Sequence, residues 1–154
     1  MSRLLSIDYG KKRTGIAVSD PLQIIANGLT TVETNKIFDF LKSYFEKEII
    51  DKVIIGLPRQ MNNEASENLL RVQQFAGRLQ NLYPALPIEF FDERFTSKMA
   101  QQTMIDGGLK KKDRQNKALV DEISATIILQ GYMESRIYDK EEGRLGKKQD
   151  TQNS

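Results

Sequence analysis

Residues 4–18 of the chain read Leu4-Leu5-Ser6-Ile7-Asp8-Tyr9-Gly10-Lys11-Lys12-Arg13-Thr14-Gly15-Ile16-Ala17-Val18. Two apolar runs are separated by a polar stretch that contains two glycines, which is typical of two strands joined by a tight turn. Asp8 ends the first run, so we expect its carboxylate at the end of a buried strand, where it is held rigidly. Gly10 and Gly15 allow the backbone to turn and another group to approach closely. The stretch therefore predicts a carboxylate placed to hold a metal ion.

The segments after this stretch predict further strands and helices. A strand at 28–33 would complete an antiparallel meander, with Asp20-Pro21 in the preceding turn. Asn35 is the expected N-cap of an amphipathic helix whose apolar positions continue as far as Ile49. The later predictions are a buried strand at 53–58, a second helix through Leu82, a strand at 88–92, a helix from Thr96 or Ser97 to about Gly107-Gly108, and a last helix over about 117–133.

The last helix carries a row of small residues. Ser124 and Ala125 share one side with Asp121 and Ile128, so that side can lie close to a sheet. The whole order of elements predicts an α/β fold with a mixed five-stranded sheet flanked by helices.

Composition limits the architecture and the chemistry. The 154 residues are 39% hydrophobic and 29% charged, which predicts one globular domain over 1–138. The polar residues 139–154 carry four positive and four negative charges, and we expect a solvated, disordered tail there.

Two residue types are absent from the sequence. The chain has no cysteine and no histidine, which excludes zinc sites built on those residues, thiol nucleophiles and imidazole acid–base chemistry. No apolar stretch approaches the roughly 18–20 residues that span a membrane, and the first residues are unlike a signal segment. A cytoplasmic location is therefore expected.

Three acids stand at positions that could converge at one edge of the sheet. Asp8 ends the first strand, Glu93 follows the fifth strand and Asp121 lies on the last helix. Three carboxylates without imidazole or thiolate fit Mg²⁺ or Mn²⁺. Their neighbours Asp92 and Glu122 are the reserve candidates, because adjacent residues point in different directions on a strand or a helix.

Basic residues accompany these acids. Arg13 and Arg94 lie within a few residues of proposed ligands and could hold a phosphate, or could form ion pairs that orient the acids. The remaining candidates for nucleic-acid contact form a basic segment between the last two helices, Lys110, Lys111, Lys112, Arg114 and Lys117.

Each feature taken alone has a simpler explanation. An aspartate at a strand end is often a turn former, and acids near a helix start are favoured by the helix dipole. A cluster such as Asp92-Glu93-Arg94 is often a local ion pair, and a run of lysines is often a solvated loop. The joint order of the acids favours a functional site.

Four segments in order resemble the YqgF family, also called RuvX, which comprises Holliday-junction-resolvase-like proteins named as pre-16S rRNA nucleases. The resemblance covers about residues 3–133. The segments are 7–20, Gly56-Leu57-Pro58, Asp92-Glu93-Arg94-Phe95-Thr96 and 120–129. The resemblance implies an RNase H-like fold, metal-dependent hydrolysis of nucleic-acid phosphodiesters in maturation of the 5′ end of 16S rRNA, and an acidic site at Asp8, Glu93 and Asp121.

Three further functions fit parts of the same pattern. The N-terminal segment also resembles the phosphate-binding hairpin of actin-like and Hsp70-like ATPases, although those proteins need two related domains to enclose ATP. A Holliday-junction resolvase acting on branched DNA would use the same acids, and in a non-catalytic RNA-binding factor the acids would hold only a structural metal. The sequence does not distinguish RNA from branched DNA, or a monomer from a dimer.

Overall fold

The computed structural model describes residues 2–57, 63–92 and 121–136, with backbone alone for 63–65. A 3₁₀ turn at Thr34–Lys36 precedes the first helix. The strands and helices in chain order are β1 (Arg3–Tyr9), β2 (Arg13–Ser19), β3 (Ala26–Glu33), α1 (Ile37–Lys47), β4 (Ile50–Leu57), α2 (Asn63–Leu82), β5 (Ile88–Asp92) and α3, of which residues 121–136 are described.

The five strands form one mixed sheet in the order β3-β2-β1-β4-β5. Strands β1, β2 and β3 pair antiparallel, which confirms the predicted meander. Strands β4 and β5 run parallel to β1. The carboxyl ends of these three parallel strands therefore lie at the same edge of the sheet as the turn between β1 and β2.

Helices cover both faces of the sheet. Side chains alternate between the two faces along each strand, so each face carries apolar residues that a helix can bury. Leu5 and Ile7 of β1 belong to a core cluster that includes residues of α1 and α2. Leu4 belongs to a second cluster with residues of α3. Ser6 lies on the same face of β1 as Leu4, and its Oγ donates a 2.6 Å hydrogen bond to the carbonyl of Ala125. The face of β1 that holds Leu4 and Ser6 is thus the face that α3 covers.

Helix α3 lies unusually close to β2 and β3, as its small residues predicted. A Cβ atom added at Gly15 would come 2.0 Å from the carbonyl oxygen of Asp121. One added at Gly28 would come 2.5 Å from Oε1 of Glu122. The start of the described part of α3 therefore fits over two positions at which the strands have no side chain.

The boundaries of the first hairpin differ from the prediction. Strand β1 continues to Tyr9, so Asp8 lies inside the strand, and β2 already begins at Arg13, so Gly15 lies in a strand instead of a turn. The reason is that the ladder pairs Asp8 with Gly15 and Tyr9 with Thr14, which extends both strands past the apolar runs.

The predicted start of the first helix is wrong. Asn35 lies within the 3₁₀ turn, α1 begins at Ile37, and no side chain caps either segment. The turn is fixed by tertiary hydrogen bonds instead, since the amide of Thr34 donates to the carbonyl of Lys12. Ile49 lies beyond α1 and is 75% exposed.

The turn after β2 is confirmed. Asp20 follows the last residue of β2, and its carboxylate accepts hydrogen bonds from the backbone amides of Leu22, Ile24 and Ile25. These bonds, led by the one from Ile25, lower the pKa of Asp20.

Several predictions fall on residues outside the described ranges. They are the helix expected from Thr96 or Ser97, its end at Gly107-Gly108, the basic segment 110–117 and the tail 139–154. No helix in the described part of the chain is both long enough and apolar enough to cross a membrane.

Candidate active site at one end of the sheet

The structure brings Asp8 and Asp121 to the same end of the sheet. Asp8 is paired directly with Gly15, and cross-strand partners project on the same face. The backbone of Asp121 lies over Gly15 on that face, which is the face of Leu4 and Ser6. Both acids are partly buried, Asp8 through the sheet and Asp121 through its contact with β2. Two of the three predicted acids are therefore neighbours in space, although they are 113 positions apart in sequence.

Arg13 forms an ion pair with Asp121. Its Nε donates to Oδ2 of Asp121 at 3.1 Å, and the side chains are 40% and 27% exposed. Arg13 and Gly15 share a face of β2, so the strand itself places the guanidinium beside the acid. Of the two roles predicted for Arg13, the ion pair is the one that the structure contains. Among the described residues, the two Nη groups have no hydrogen-bond partner.

Three hydrogen bonds hold the turn between β1 and β2, which comprises residues 10–12, and the last residue of β1. Thr34 donates from Oγ1 to the carbonyl of Gly10 at 2.7 Å and from its amide to the carbonyl of Lys12 at 3.0 Å. Asn68 of α2 donates to the carbonyl of Tyr9 at 3.2 Å. The hydroxyls of Thr14 and Thr34 lie 2.9 Å apart. No sequence pattern indicated Thr34 or Asn68, because their partners are backbone carbonyls far away in the chain.

The reserve acids lie elsewhere. The side chain of Glu122 lies against Gly28 of β3, so it is directed away from Asp8 on β1. Asp92 ends β5 and lies on the same face of that strand as Ile88, which packs against the core cluster that includes α1 and α2. By strand alternation Asp92 is therefore on the face opposite to Asp8 and Asp121. The geometry favours Asp121 over Glu122 and separates Asp92 from the two neighbouring acids.

The remaining site predictions lie outside the described residues. Glu93 directly follows Asp92 in the chain, but neither it nor Arg94 is described, and the same holds for Lys110, Lys111, Lys112, Arg114 and Lys117. Within the described ranges there is no group of three acids that could hold a metal ion. The two neighbouring carboxylates supply hard oxygen donors, which fit Mg²⁺ or Mn²⁺ better than softer metals.

Comparisons with known proteins find relatives that match most of the length of this chain. A protein of Phocaeicola vulgatus named "Putative pre-16S rRNA nuclease" is 64% identical over 138 residues, which cover 90% of this chain and 99% of that protein. Proteins of the same name from Bacteroides thetaiotaomicron and Flavobacterium psychrophilum are 63% and 58% identical. These alignments cover 88% and 89% of this chain and 99% and 100% of the relatives.

A family model described as RuvX, Holliday junction resolvase, matches residues 2–135. The mixed sheet with its antiparallel meander and two parallel strands, flanked by helices, is the RNase H-like fold that the family resemblance implied. The match favours a nuclease over an ATPase. The chain belongs to the RuvX family of Holliday-junction-resolvase nucleases.

Proposed function

We propose that this protein is a metal-dependent nuclease that hydrolyses phosphodiester bonds, with Asp8, Glu93 and Asp121 as its catalytic acids. The observation that carries the proposal is the close packing of Asp121 over Gly15, the strand partner of Asp8. This packing joins two acids from distant parts of the chain on one face, beside an arginine. Family membership supports the reaction class.

The proposed cofactor is Mg²⁺ or Mn²⁺, held by Asp8 and Asp121 together with Glu93. Such ions activate water and stabilise the leaving oxygen in phosphodiester hydrolysis. With a metal ion to activate the water, the hydrolysis needs no histidine. Asp8 is a rigidly held ligand in this proposal, because it is paired with Gly15 of β2 and its strand lies between β2 and β4.

Arg13 has two roles in this proposal. Its Nε orients Asp121, and its Nη groups are available to bind a substrate phosphate. A guanidinium has donors on more than one edge, so both contacts can exist at once. Arg94 and the basic segment from Lys110 to Lys117 are proposed as further contacts to the nucleic-acid backbone.

The proposed substrate is precursor 16S rRNA, cut in maturation of its 5′ end. The name of the relatives from three bacterial genera supports this choice. We also propose a cytoplasmic location, where bacterial ribosomes are assembled.

The decisive experiment compares cleavage of a precursor 16S rRNA and a four-way DNA junction, each with Mg²⁺, with Mn²⁺ and with a chelator. We expect metal-dependent cleavage of the RNA. Asp8→Asn and Asp121→Asn should each abolish it, because the carboxylate is replaced by a neutral amide of the same size. Asp92→Asn, on the opposite face of β5, is the matched control and should retain most activity. Full activity of Asp8→Asn would refute the site.

A second candidate function is resolution of Holliday junctions, which the family description favours. A junction has two strands to cut, so this function predicts two paired active sites and hence a dimer. Faster cleavage of the four-way junction than of the RNA, together with a dimer in sedimentation, would favour it. Binding of RNA without cleavage under any metal condition would instead favour a non-catalytic RNA-binding factor.

A further inference from the structure

Two exposed lysines lie in the turn directly after the strand that carries Asp8. Lys11 and Lys12 are both exposed, and within the described part of the chain neither forms an ion pair. A chain extends by at most about 3.6 Å per residue, so the backbone of Lys11 lies within about 11 Å of Asp8. Measured along the axis of a duplex, that distance corresponds to about three base steps.

The turn that carries these lysines is held in one shape. The carbonyls of Tyr9, Gly10 and Lys12 all accept hydrogen bonds from Asn68 or Thr34, which belong to other elements. A Cβ at Gly10 would come 2.3 Å from the carbonyl oxygen of Arg13, so the backbone is also tightly closed. The inward side of the turn is therefore occupied by hydrogen bonds, while its lysine side chains extend into solvent.

We propose that residues 10–12 form a preorganised contact for the phosphate backbone next to the bond that is cut. Lys11 and Lys12 bind phosphates as point charges, and Thr34 is a positioning residue that fixes the turn relative to Asp8. The inference rests on the proposed function, since it assigns two substrate contacts to the same site. Preorganisation lowers the cost of ordering the lysine backbone when substrate binds.

The first test measures the salt dependence of binding for a Lys11→Ala, Lys12→Ala double variant. The probes are a duplex RNA and a single-stranded RNA, with Ca²⁺ in place of Mg²⁺ to suppress cleavage. Each lost phosphate contact should flatten the slope of log affinity against log salt by about 0.9 on a duplex and 0.7 on a single strand. Between 50 and 200 mM salt the native protein should therefore lose up to about tenfold more duplex affinity than the variant.

The matched control is a Lys42→Ala, Lys47→Ala variant, which removes the same charge from exposed positions on α1. It should keep the native slope. An equal loss of slope in both variants would mean that net charge alone is responsible, and an unchanged slope in the Lys11 and Lys12 variant would overturn the proposed contacts. If the native protein binds neither probe, the proposed function itself is refuted. If the native protein binds and cuts RNA, the salt slope of the Lys11 and Lys12 variant alone decides whether the proposed contacts are correct.

The second test addresses Thr34. Thr34→Val removes the hydroxyl bond to Gly10 but keeps the shape of the side chain and both lysines, whereas Thr34→Ser keeps the hydroxyl. We expect Thr34→Val to show part of the flattened salt slope and Thr34→Ser to restore the native slope. A lower melting temperature of Thr34→Val with a native slope would overturn the positioning role, because it would show a structural role alone.

Discussion

At the scale of single residues, Gly15 determines whether α3 can pack closely on β2 at Asp121. Its missing side chain is the space that the carbonyl of Asp121 occupies. Gly15→Ala would place a methyl group 2.0 Å from that oxygen, so α3 has to shift. Overpacking of this kind costs about 1–3 kcal/mol, and the shift moves Asp121 relative to Asp8. We expect lower stability in urea unfolding. We also expect the cleavage rate to fall by more than the fraction of unfolded protein would explain.

Gly77 provides the matched control for this change. It lies in α2, and a Cβ there has no atom within 4 Å. Gly77→Ala should therefore stabilise the protein by about 0.5–1 kcal/mol, because alanine loses less backbone entropy in a helix, and cleavage should be unchanged. If Gly15→Ala were as well tolerated as Gly77→Ala, the close packing of α3 on β2 would be wrong.

The sequence indicated the proposed acids, but it did not indicate the residues that hold the turn beside Asp8. Asp8 could be found because it stands next to an apolar run and a glycine-rich turn, which are local signals. Thr34 could not, since its hydrogen bonds go to the carbonyls of Gly10 and Lys12, and carbonyls carry no sequence information. The same limit applies to Asn68 and its bond to Tyr9.

At the scale of elements, the described part of α3 is attached to the sheet near both of its ends. One end lies over Gly15 and Gly28, near the proposed site. Toward the other end, Tyr132 donates a 2.5 Å hydrogen bond to Glu89 of β5. Lys52 of β4 donates to Glu89 at 2.8 Å and to the Tyr132 hydroxyl at 3.1 Å. Lys52, Glu89 and Tyr132 thus join two strands to the helix.

Removal of the Tyr132 hydroxyl should loosen this attachment. Tyr132→Phe keeps the ring contacts with Phe91 and Lys52 but loses both hydroxyl hydrogen bonds. We expect a loss of about 1–2 kcal/mol in urea unfolding. Tyr44→Phe is the control, because among the described residues the Tyr44 hydroxyl has no hydrogen-bond partner, and it should change stability by less than about 0.5 kcal/mol. Equal effects of the two changes would contradict the prediction.

The same three residues predict a pH dependence. The hydrogen bond from Lys52, followed by the one from Tyr132, lowers the pKa of Glu89 from its ordinary value of 4.5. A lowered pKa means that this stabilisation is present above pH 4.5 and is lost as the pH falls through the lowered value. Glu89→Gln should therefore be less stable than the native protein at neutral pH, and the difference should shrink below pH 4.5. A difference that stays constant in acid would exclude ionised Glu89 as its source.

The start of α1 shows why element boundaries were harder to predict than elements. Periodicity identified the apolar positions of the helix, and Leu41 is fully buried as that pattern requires. Asn35 had the local chemistry of a cap, but hydrogen bonds between Thr34 and the β1–β2 turn fixed a 3₁₀ turn there instead. Tertiary contacts overrode a local preference.

At the scale of the whole molecule, the strand order was the part that local patterns constrained least. The meander pairs strands that are consecutive in the chain. In contrast, β1 pairs with β4 although β2, β3 and α1 lie between them in sequence. The apolar run of β4 indicated a strand buried on both faces, and Val53, Ile54 and Ile55 are fully buried. Burial on both faces predicts that β4 is a central strand with helices on both faces of the sheet. It does not predict which strands pair with β4. The pairing with β1 is what places the ends of β1, β4 and β5 together.

Metal binding should be visible in the stability of the whole molecule. A ligand that binds the folded state alone stabilises it by about 2.7 kcal/mol at one hundred times its dissociation constant. For a chain of this size that corresponds to a rise of about 5–10 °C in melting temperature. We expect such a rise with Mn²⁺ or Mg²⁺ in the native protein and none in an Asp8→Asn, Asp121→Asn double variant. The variant should fold without metal, because both changes preserve side-chain size at partly buried positions. An equal rise in both proteins would place the metal elsewhere, and this result would count against the site even if the protein cuts RNA.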